Sequence, residues 1–196
     1  MLSKVAKCRL PFMLTSTSTI ATAGTAQNVS GTYSITWGDS QPLGYGGDRP
    51  DVAVTKEGYI LLAYTKYAYS GYGSEAQMRY WVGILNPAGD TRQTITWRVK
   101  DNFFDTGKNA SLAFNSNAVL VEAHEGIHTD NLYYRVGHFA DPDRGDLTLI
   151  WEAGSRGVKY DRGIDPAISV NENDQIVECH RRKTPPRFSL SPGDYR

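Results

Sequence analysis

The sequence has little of what would place it quickly in a functional class. Its 21 basic and 21 acidic residues give a formal net charge of +0, so no global positive field exists to hold a nucleic acid, and that partner is excluded. The two cysteines, Cys8 and Cys179, cannot build a disulfide framework or a four-cysteine zinc site. No run approaches the roughly 20 uninterrupted apolar residues of a membrane-spanning helix, so no membrane span is expected.

Recognisable catalytic motifs are missing as well. The sequence contains no Gly-x-Ser-x-Gly elbow, phosphate loop, dinucleotide fingerprint or His-Glu-x-x-His helix. We therefore predict no catalytic residue, no cofactor and no metal ligand, and the chain is expected not to be an enzyme.

The first 38 residues contain no acidic residue and are rich in Ser and Thr. Basic residues at Lys4 and Arg9, a short apolar stretch, and small residues near Ala23 and Ala26 are typical of a secretory signal peptide. Residues 1–26 are thus a candidate leader, which predicts a secreted protein. An organelle transit peptide, a floppy terminus and a misassigned start codon are the alternatives.

An internal repeat organises residues 35 to 180. Each copy holds short runs of Val, Ile, Leu, Tyr and Trp, separated by Gly, Asn, Asp and Pro, as in strands joined by turns. Three pairs of residues are each 14 positions apart: Pro50 and Tyr64, Ala110 and His124, Pro166 and His180. Trp37, Trp97 and Trp151 precede these starts by 13, 13 and 15 positions. Because no stretch has convincing 3.6-residue periodicity, the repeat predicts an all-β protein of antiparallel sheets.

Four antiparallel strands that recur every 40 to 50 or more residues are typical of a β-propeller blade. The motifs that carry the likeness are Tyr160-Asp161-Arg162-Gly163, the strand from Leu132 to Gly137, and the Val-Glu-Ala-His and Val-Glu-Cys-His strand endings. On these motifs the chain resembles a family of β-propeller repeats, sialidase-like and lectin-like, over about three quarters of its length. The Asp-box turn of sialidases is absent, since Ser34 to Trp37 preserves only its end. The resemblance implies an architecture and leaves the activity open.

The resemblance implies a repeat domain over residues 34–184, followed by a polar tail at 185–196. Its three blades are expected at about 50–97, 110–151 and 166–184, the last joined by 34–37 as its outer strand. Residues 188 to 190 are the only candidate for the missing third strand of that blade. Three blades are one short of the usual minimum of four for a closed propeller. A homodimer that completes a six-bladed ring, a fragment of a larger protein and an open β-stack remain as explanations.

The resemblance also implies a ligand site, because loops before the innermost strands and after the second strands open on one face of a propeller. The candidate ligand-binding residues there are Asp48, Arg49, Asp105, Lys108, Asp161, Arg162, Asp165, Tyr69, Tyr72 and His128. Aromatic faces beside Asp and Arg suit a sugar, which is apolar on one face and polar at its edge. This pattern favours a non-catalytic carbohydrate-binding module with a glycan as its partner. The alternatives are a sialidase-like glycoside hydrolase or its remnant, and a structural fragment without ligand.

The repeated Tyr/Phe-Asp-x-Gly motif also has a purely structural interpretation, which we favour. In it, the Asp of the motif caps backbone N–H groups and the Gly takes a positive φ. Arg135, a repeat arginine, is expected to lie along a sheet surface. Cys179 is expected to be a small buried residue.

Two Glu-x-His pairs, Glu122 with His124 and Glu178 with His180, lie two positions apart on predicted strands and so share one side of a sheet. They could bind a cation, or supply carboxylates for glycoside hydrolysis. In packing between blades, Glu and His would instead satisfy one another. We favour this structural role because the first repeat has Tyr64 at the position of the histidine.

Overall fold

The computed structural model describes residues 18–29, 32–45, 47–70, 73–86, 93–152, 157–171 and 173–182, and these are almost entirely β-strand. The described residues contain no α-helix and only one 3-10 turn, Pro142–Arg144. The predicted all-β class with antiparallel sheets is therefore confirmed. In the same ranges no helix is long and apolar enough to cross a bilayer.

The strands form four successive groups. The N-terminal block contains β1 (Ser18–Ala21), β2 (Gly24–Val29), β3 (Thr32–Trp37) and β4 (Gln41–Tyr45). Sheet 1 contains β5 (Gly47–Val54), β6 (Tyr59–Ser70), β7 (Gly73–Asn86) and β8 (Thr94–Thr106). Sheet 2 contains β9 (Lys108–Phe114), β10 (Leu120–Glu125), β11 (Asn131–Asp141), β12 (Asp146–Trp151) and β13 (Val158–Arg162). The C-terminal hairpin contains β14 (Ile164–Val170) and β15 (Ile176–Arg181).

All strand pairs are antiparallel, and no sheet formed by the described strands closes on itself. Sheet 1 has the order β5-β6-β7-β8, and sheet 2 has the order β9-β10-β11-β12 with β13 also paired to β11. In the N-terminal block β1 pairs with β4, and β2 pairs with β3. The two complete sheets thus follow the predicted repeat, one after the other along the chain.

The turn between the first and second strands has the same form in all three repeats. It opens at Thr55, Asn115 and Asn171, whose backbone carbonyl oxygens each accept the N–H group of the third following residue. Those third residues, Gly58, Ala118 and Asp174, have φ values of 89°, 59° and 59°. The recurrence of one uncommon backbone conformation at matching positions shows that the sequence repeat is also a structural repeat.

A glycine faces a tryptophan between the third and fourth strands of sheets 1 and 2, and again between β2 and β3. The pairs in register are Gly24 with Trp37, Gly83 with Trp97, and Gly137 with Trp151. A Cβ atom on Gly137 would lie 2.8 Å from the carbonyl oxygen of Ile150 and 3.0 Å from Cε3 of Trp151. The indole therefore lies over bare backbone, and no larger residue fits opposite it.

This register identifies β2 and β3 as the third and fourth strands of a further repeat. Residues 34–37, expected to join the C-terminal hairpin as an outer strand, lie in β3 and pair with β2 among the described strands. The candidate third strand at 188–190 lies outside the described residues. The candidate leader overlaps β1 and β2, so a cut after Ala23 or Ala26 would remove β1.

Three apolar clusters hold the four groups of strands in layers. The largest lies between sheets 1 and 2 and includes Leu61 and Leu112. The opposite face of sheet 1 buries Leu62 against Ala21 and β4. The opposite face of sheet 2 buries its apolar residues against Ile168 of the hairpin. Because neighbouring residues of a strand face opposite sides, each sheet contributes to two clusters, and the order of layers is N-terminal block, sheet 1, sheet 2, hairpin.

Polar contacts also join the first strands β5, β9 and β14, which pack side by side. The Asp51 carboxylate accepts hydrogen bonds from the backbone N–H of Leu112 at 2.8 Å and the hydroxyl of Ser111 at 3.1 Å. That hydroxyl oxygen in turn accepts the N–H of Ile168 at 3.1 Å. A single relay thereby crosses from the first repeat to the third.

Replacement of Gly137 by Ala should lower the free energy of unfolding by about 1–3 kcal/mol, because the added methyl group would overlap the Ile150 carbonyl and the Trp151 ring. Urea unfolding followed by tryptophan fluorescence measures the change. Arg98→Ala, at an exposed position of β8, is the control and should leave the midpoint nearly unchanged. An unshifted midpoint for Gly137→Ala would contradict the tight glycine and tryptophan pairing.

Candidate functional site

Three polar residues meet where the first strands begin. Arg49, Asn109 and Asp165 occupy the same repeat position and have φ values of 50°, 60° and 55°, in the left-handed region that non-glycine residues seldom adopt. Nη1 of Arg49 lies 2.7 Å from Oδ1 of Asp165, and Nδ2 of Asn109 donates to the same oxygen at 3.2 Å. One side chain from each repeat therefore converges on a single point.

Further charged residues surround this point. The carboxylate of Glu125 accepts hydrogen bonds from Nδ2 of Asn109 at 2.7 Å and contacts Nζ of Lys108 at 2.9 Å. Nη2 of Arg181 lies 2.9 Å from Oδ2 of Asp165. We call the six residues the entrance cluster: Arg49, Lys108, Asn109, Glu125, Asp165 and Arg181. Each cation in it contacts a carboxylate, so the cluster joins the repeats through compensated charges.

The structure thus brings Arg49, Lys108 and Asp165 of the predicted ligand residues together, and distributes the others. Asp48 is half-buried in β5 opposite Thr65. Asp161, Arg162 and His128 are exposed. Tyr72 lies outside the described residues, and Tyr69 is described only as part of the β6 backbone.

Asp105, near the end of β8 in sheet 1, is buried in an ion pair with Arg135 of β11 in sheet 2. Nη2 of Arg135 lies 2.7 Å from Oδ2 of Asp105, and its Nη1 donates to the Phe104 carbonyl oxygen at 3.1 Å. The guanidinium also lies 5.2 Å from the centre of the Trp151 ring. The expectation that Arg135 lies along a sheet surface is wrong, since the residue is only 1% exposed. A buried carboxylate requires a buried cation, and Arg135 supplies it.

The Asp of the Tyr/Phe-Asp-x-Gly motif acts as a cap in both copies. Oδ1 of Asp105 accepts the N–H of Thr106 at 2.7 Å, and Oδ1 of Asp161 accepts the N–H of Arg162 at 2.7 Å. This part of the structural interpretation is confirmed, whereas a positive φ at the glycine is wrong. A Cβ atom on Gly107 would lie 2.8 Å from Cδ2 of His124, so the glycine is required by the neighbouring histidine ring.

Within each Glu-x-His pair the glutamate and the histidine contact one another, as the structural interpretation predicts. Nδ1 of His124 lies 3.0 Å from Oε2 of Glu122, and Nδ1 of His180 lies 3.1 Å from Oε2 of Glu178. Burial opposes a charge on His124, yet the Glu122 carboxylate outweighs it and raises the pKa of the imidazole.

In the first repeat Tyr64 stands at this position and donates its hydroxyl hydrogen to Asp101. Burial, together with the Asp101 carboxylate, raises the pKa of Tyr64 to about 12. In the hairpin Cys179 is exposed, so its predicted burial is wrong. The reason is that Cys179 points to the face of the hairpin opposite Ile168, and no layer of described strands packs on that face.

A groove opens where the outer strands of sheets 1 and 2 separate. Its volume is about 570 Å³, and it is lined by Tyr80, Asn102, Phe103, Phe104, Arg135, Thr148, Leu149 and Trp151. Trp151 stacks on Phe104 with ring centres 5.4 Å apart, while Phe103 is 47% exposed. Nδ2 of Asn102 donates to the Tyr80 hydroxyl at 2.8 Å. The groove therefore combines aromatic surface with amide and hydroxyl groups.

The sequence-based ligand residues do not include those that form this aromatic groove. The reason is that the sequence carries no signal for it. Trp97 is covered by Gln41, to which it donates at 2.9 Å, and nothing in the sequence distinguishes it from the groove residue Trp151.

The free energy of unfolding should fall as the pH rises from about 6.5 through the raised pKa of His124. The protonated form is favoured in the folded state, so its contribution is complete below the unfolded pKa and is lost once the folded imidazole deprotonates. Urea unfolding across pH 6 to 9 measures this slope, with His124→Gln as the comparison. An identical slope in His124→Gln would contradict the assignment.

Substitution of Arg135 by Met should lower the free energy of unfolding by about 3–5 kcal/mol, because Asp105 would remain buried without its cation. Chemical denaturation measures the loss. The double variant Asp105→Asn with Arg135→Met should recover part of it, since the uncompensated charge is then gone. A double variant no more stable than the single one would argue against charge as the cause.

Comparison with known proteins adds no assignment to this geometry. No protein-family model, no curated protein and no solved structure matches the chain. A functional conclusion must therefore be drawn from the groove, the entrance cluster and their chemistry.

Proposed function

We propose that the chain is a non-catalytic, propeller-like carbohydrate-binding protein whose glycan lies in the aromatic groove between sheets 1 and 2. The propeller-like arrangement is supported by first strands that pack side by side and outer strands that separate. It is also supported by the repeated turn and the repeated pairing of glycine with tryptophan.

The aromatic groove is the observation that carries the proposal. Its volume of about 570 Å³ lies within the roughly 300–1,000 Å³ of ligand pockets. Trp151, which stacks on Phe104, offers ring surface for the apolar face of a sugar. Asn102, which is exposed, offers an amide for hydrogen bonds to sugar hydroxyl groups.

The entrance cluster is a weaker candidate for the glycan. Its three cations, Arg49, Lys108 and Arg181, already contact carboxylates, so a ligand would have to displace these contacts. Asp161 has a largely exposed side chain near His180. It therefore stays the best single test of the ligand-binding residues predicted from the sequence. Asp105→Ala is a poor test of binding, because it would remove a buried ion pair.

A sialidase-like hydrolase, the rival function, would need a cluster of arginines that receives a substrate carboxylate. Arg49 and Arg135 instead contact Asp165 and Asp105. An extracellular location, where glycans are abundant, is part of the proposal, with β1 and β2 retained in the folded protein.

Replacement of Trp151 by Leu should weaken glycan binding about tenfold, which corresponds to about 1.4 kcal/mol, because the indole supplies ring surface to the groove. A glycan array identifies the ligand, and titration calorimetry on the best sugar measures the dissociation constants. Trp97→Leu is the matched control, since Trp97 occupies the equivalent repeat position but does not line the groove.

Three results would oppose this proposal. No binding to any glycan on the array at high protein concentration would count against any glycan function. Equal loss in Trp151→Leu and Trp97→Leu would remove the groove as the site, and loss confined to Asp161→Ala would move the site to the ligand residues predicted from the sequence. Release of a chromophore from aryl glycosides would replace a binding module by a hydrolase.

A further inference from the structure

The outer side of β15 is an open sheet edge. The strand pairs with β14 on one side, and no described strand lies on the other. Two apolar side chains at its start, Ile176 and Val177, are 53% and 67% exposed. An edge of this kind is a template for pairing with another strand.

The N-terminal block has the complementary open edge. Its strands β1 and β2 pair only with β4 and β3 among the described strands. Ile20, Ile35 and Trp37 of this block are 56%, 53% and 59% exposed. Large exposed apolar residues thus occur at both ends of the stack.

The repeat register shows that the two edges belong to the two halves of one sheet. The pairing of Gly24 with Trp37 makes β2 and β3 the third and fourth strands of a repeat. The turn between β14 and β15 has the form found between β5 and β6 and between β9 and β10, so β14 and β15 are the first and second strands. The hairpin therefore lacks the third and fourth strands that the N-terminal block has, and the block lacks the first and second strands that the hairpin has.

The two halves lie on opposite sides of the stack within one chain. The N-terminal block covers the outer face of sheet 1, and the hairpin covers the outer face of sheet 2. We propose that a second copy of this chain completes both sheets: β15 of one copy pairs with β1 and β2 of the other, and the reciprocal pairing closes the assembly.

Sheet 2 gives the register of this pairing. There Glu122 lies opposite Arg135 and His124 lies opposite Tyr133. In the repeat, β15 corresponds to β10, and β1 with β2 corresponds to β11. The same register therefore places Glu178 of one copy opposite Thr22 of its partner. It also places Cys179 opposite Ala21 and His180 opposite Ile20. The exposed Ile20 would cover His180 as Tyr133 covers His124, on which it stacks at 5.4 Å.

The number of sheets supports two copies. Each chain contributes two complete sheets and two halves, so a closed pair has six four-stranded sheets. Propellers usually have about 4–8 blades, which includes six but not the three that one chain could close alone. Head-to-tail contacts that close in this way form a finite ring.

Cross-linking at the predicted register tests the pairing. In a background with Cys8→Ser, the Ala21→Cys variant places a second thiol opposite Cys179 of the partner. We expect mild copper-phenanthroline oxidation to give a reducible band at twice the 21.7 kDa chain mass. Ile150→Cys, at an exposed position of β12, is the matched control and should give none. Light scattering of the unmodified protein should also give twice the chain mass.

Two outcomes would overturn the inference. A monomeric mass with no cross-link would show that the edges stay open. Loss of both thiols in a species of single-chain mass would show that one chain closes on itself. The unmodified protein gives its mass whether or not the cysteine variants fold, and neither measurement depends on the glycan proposal.

Discussion

The contact on which the structure depends most is the one among the three first strands. Asp165 accepts from Arg49 and Asn109 at their common starting position, and the Asp51 relay through Ser111 crosses the same strands further along. These polar contacts fix how far each sheet is offset from the next. Because the first strands are held together, the outer strands separate, and that separation creates the aromatic groove.

Much of the fold could be predicted from the sequence, since strands and turns depend on local residue patterns. The tryptophan spacing gave the repeats, and the structure places Tyr64, His124 and His180 on equivalent strands. The capping role of Asp105 and Asp161 also depends only on the next residue. By contrast, the partner of residues 34–37 depends on which groups of strands become neighbours, and no local pattern reports that.

The candidate site was less predictable for the same reason. Burial of Arg135 depends on Asp105 and Trp151, which come from other strands, and exposure of Cys179 depends on the lack of a described layer on its face of the hairpin. The predicted residues Arg49, Lys108 and Asp165 do meet, because each precedes or begins a first strand. Their side chains contact one another or Glu125, whereas the open aromatic surface lies at the opposite, outer strands.

The exchange of Tyr64 for His124 at one repeat position gives the two complete sheets different chemistry. The tyrosine keeps its proton until the pKa of about 12, whereas the Glu122 carboxylate raises the pKa of the histidine from 6.5. Only the second sheet therefore carries an imidazole that changes charge at this position. As the pH rises, packing should therefore weaken first around His124 in sheet 2, while the packing around Tyr64 in sheet 1 stays intact.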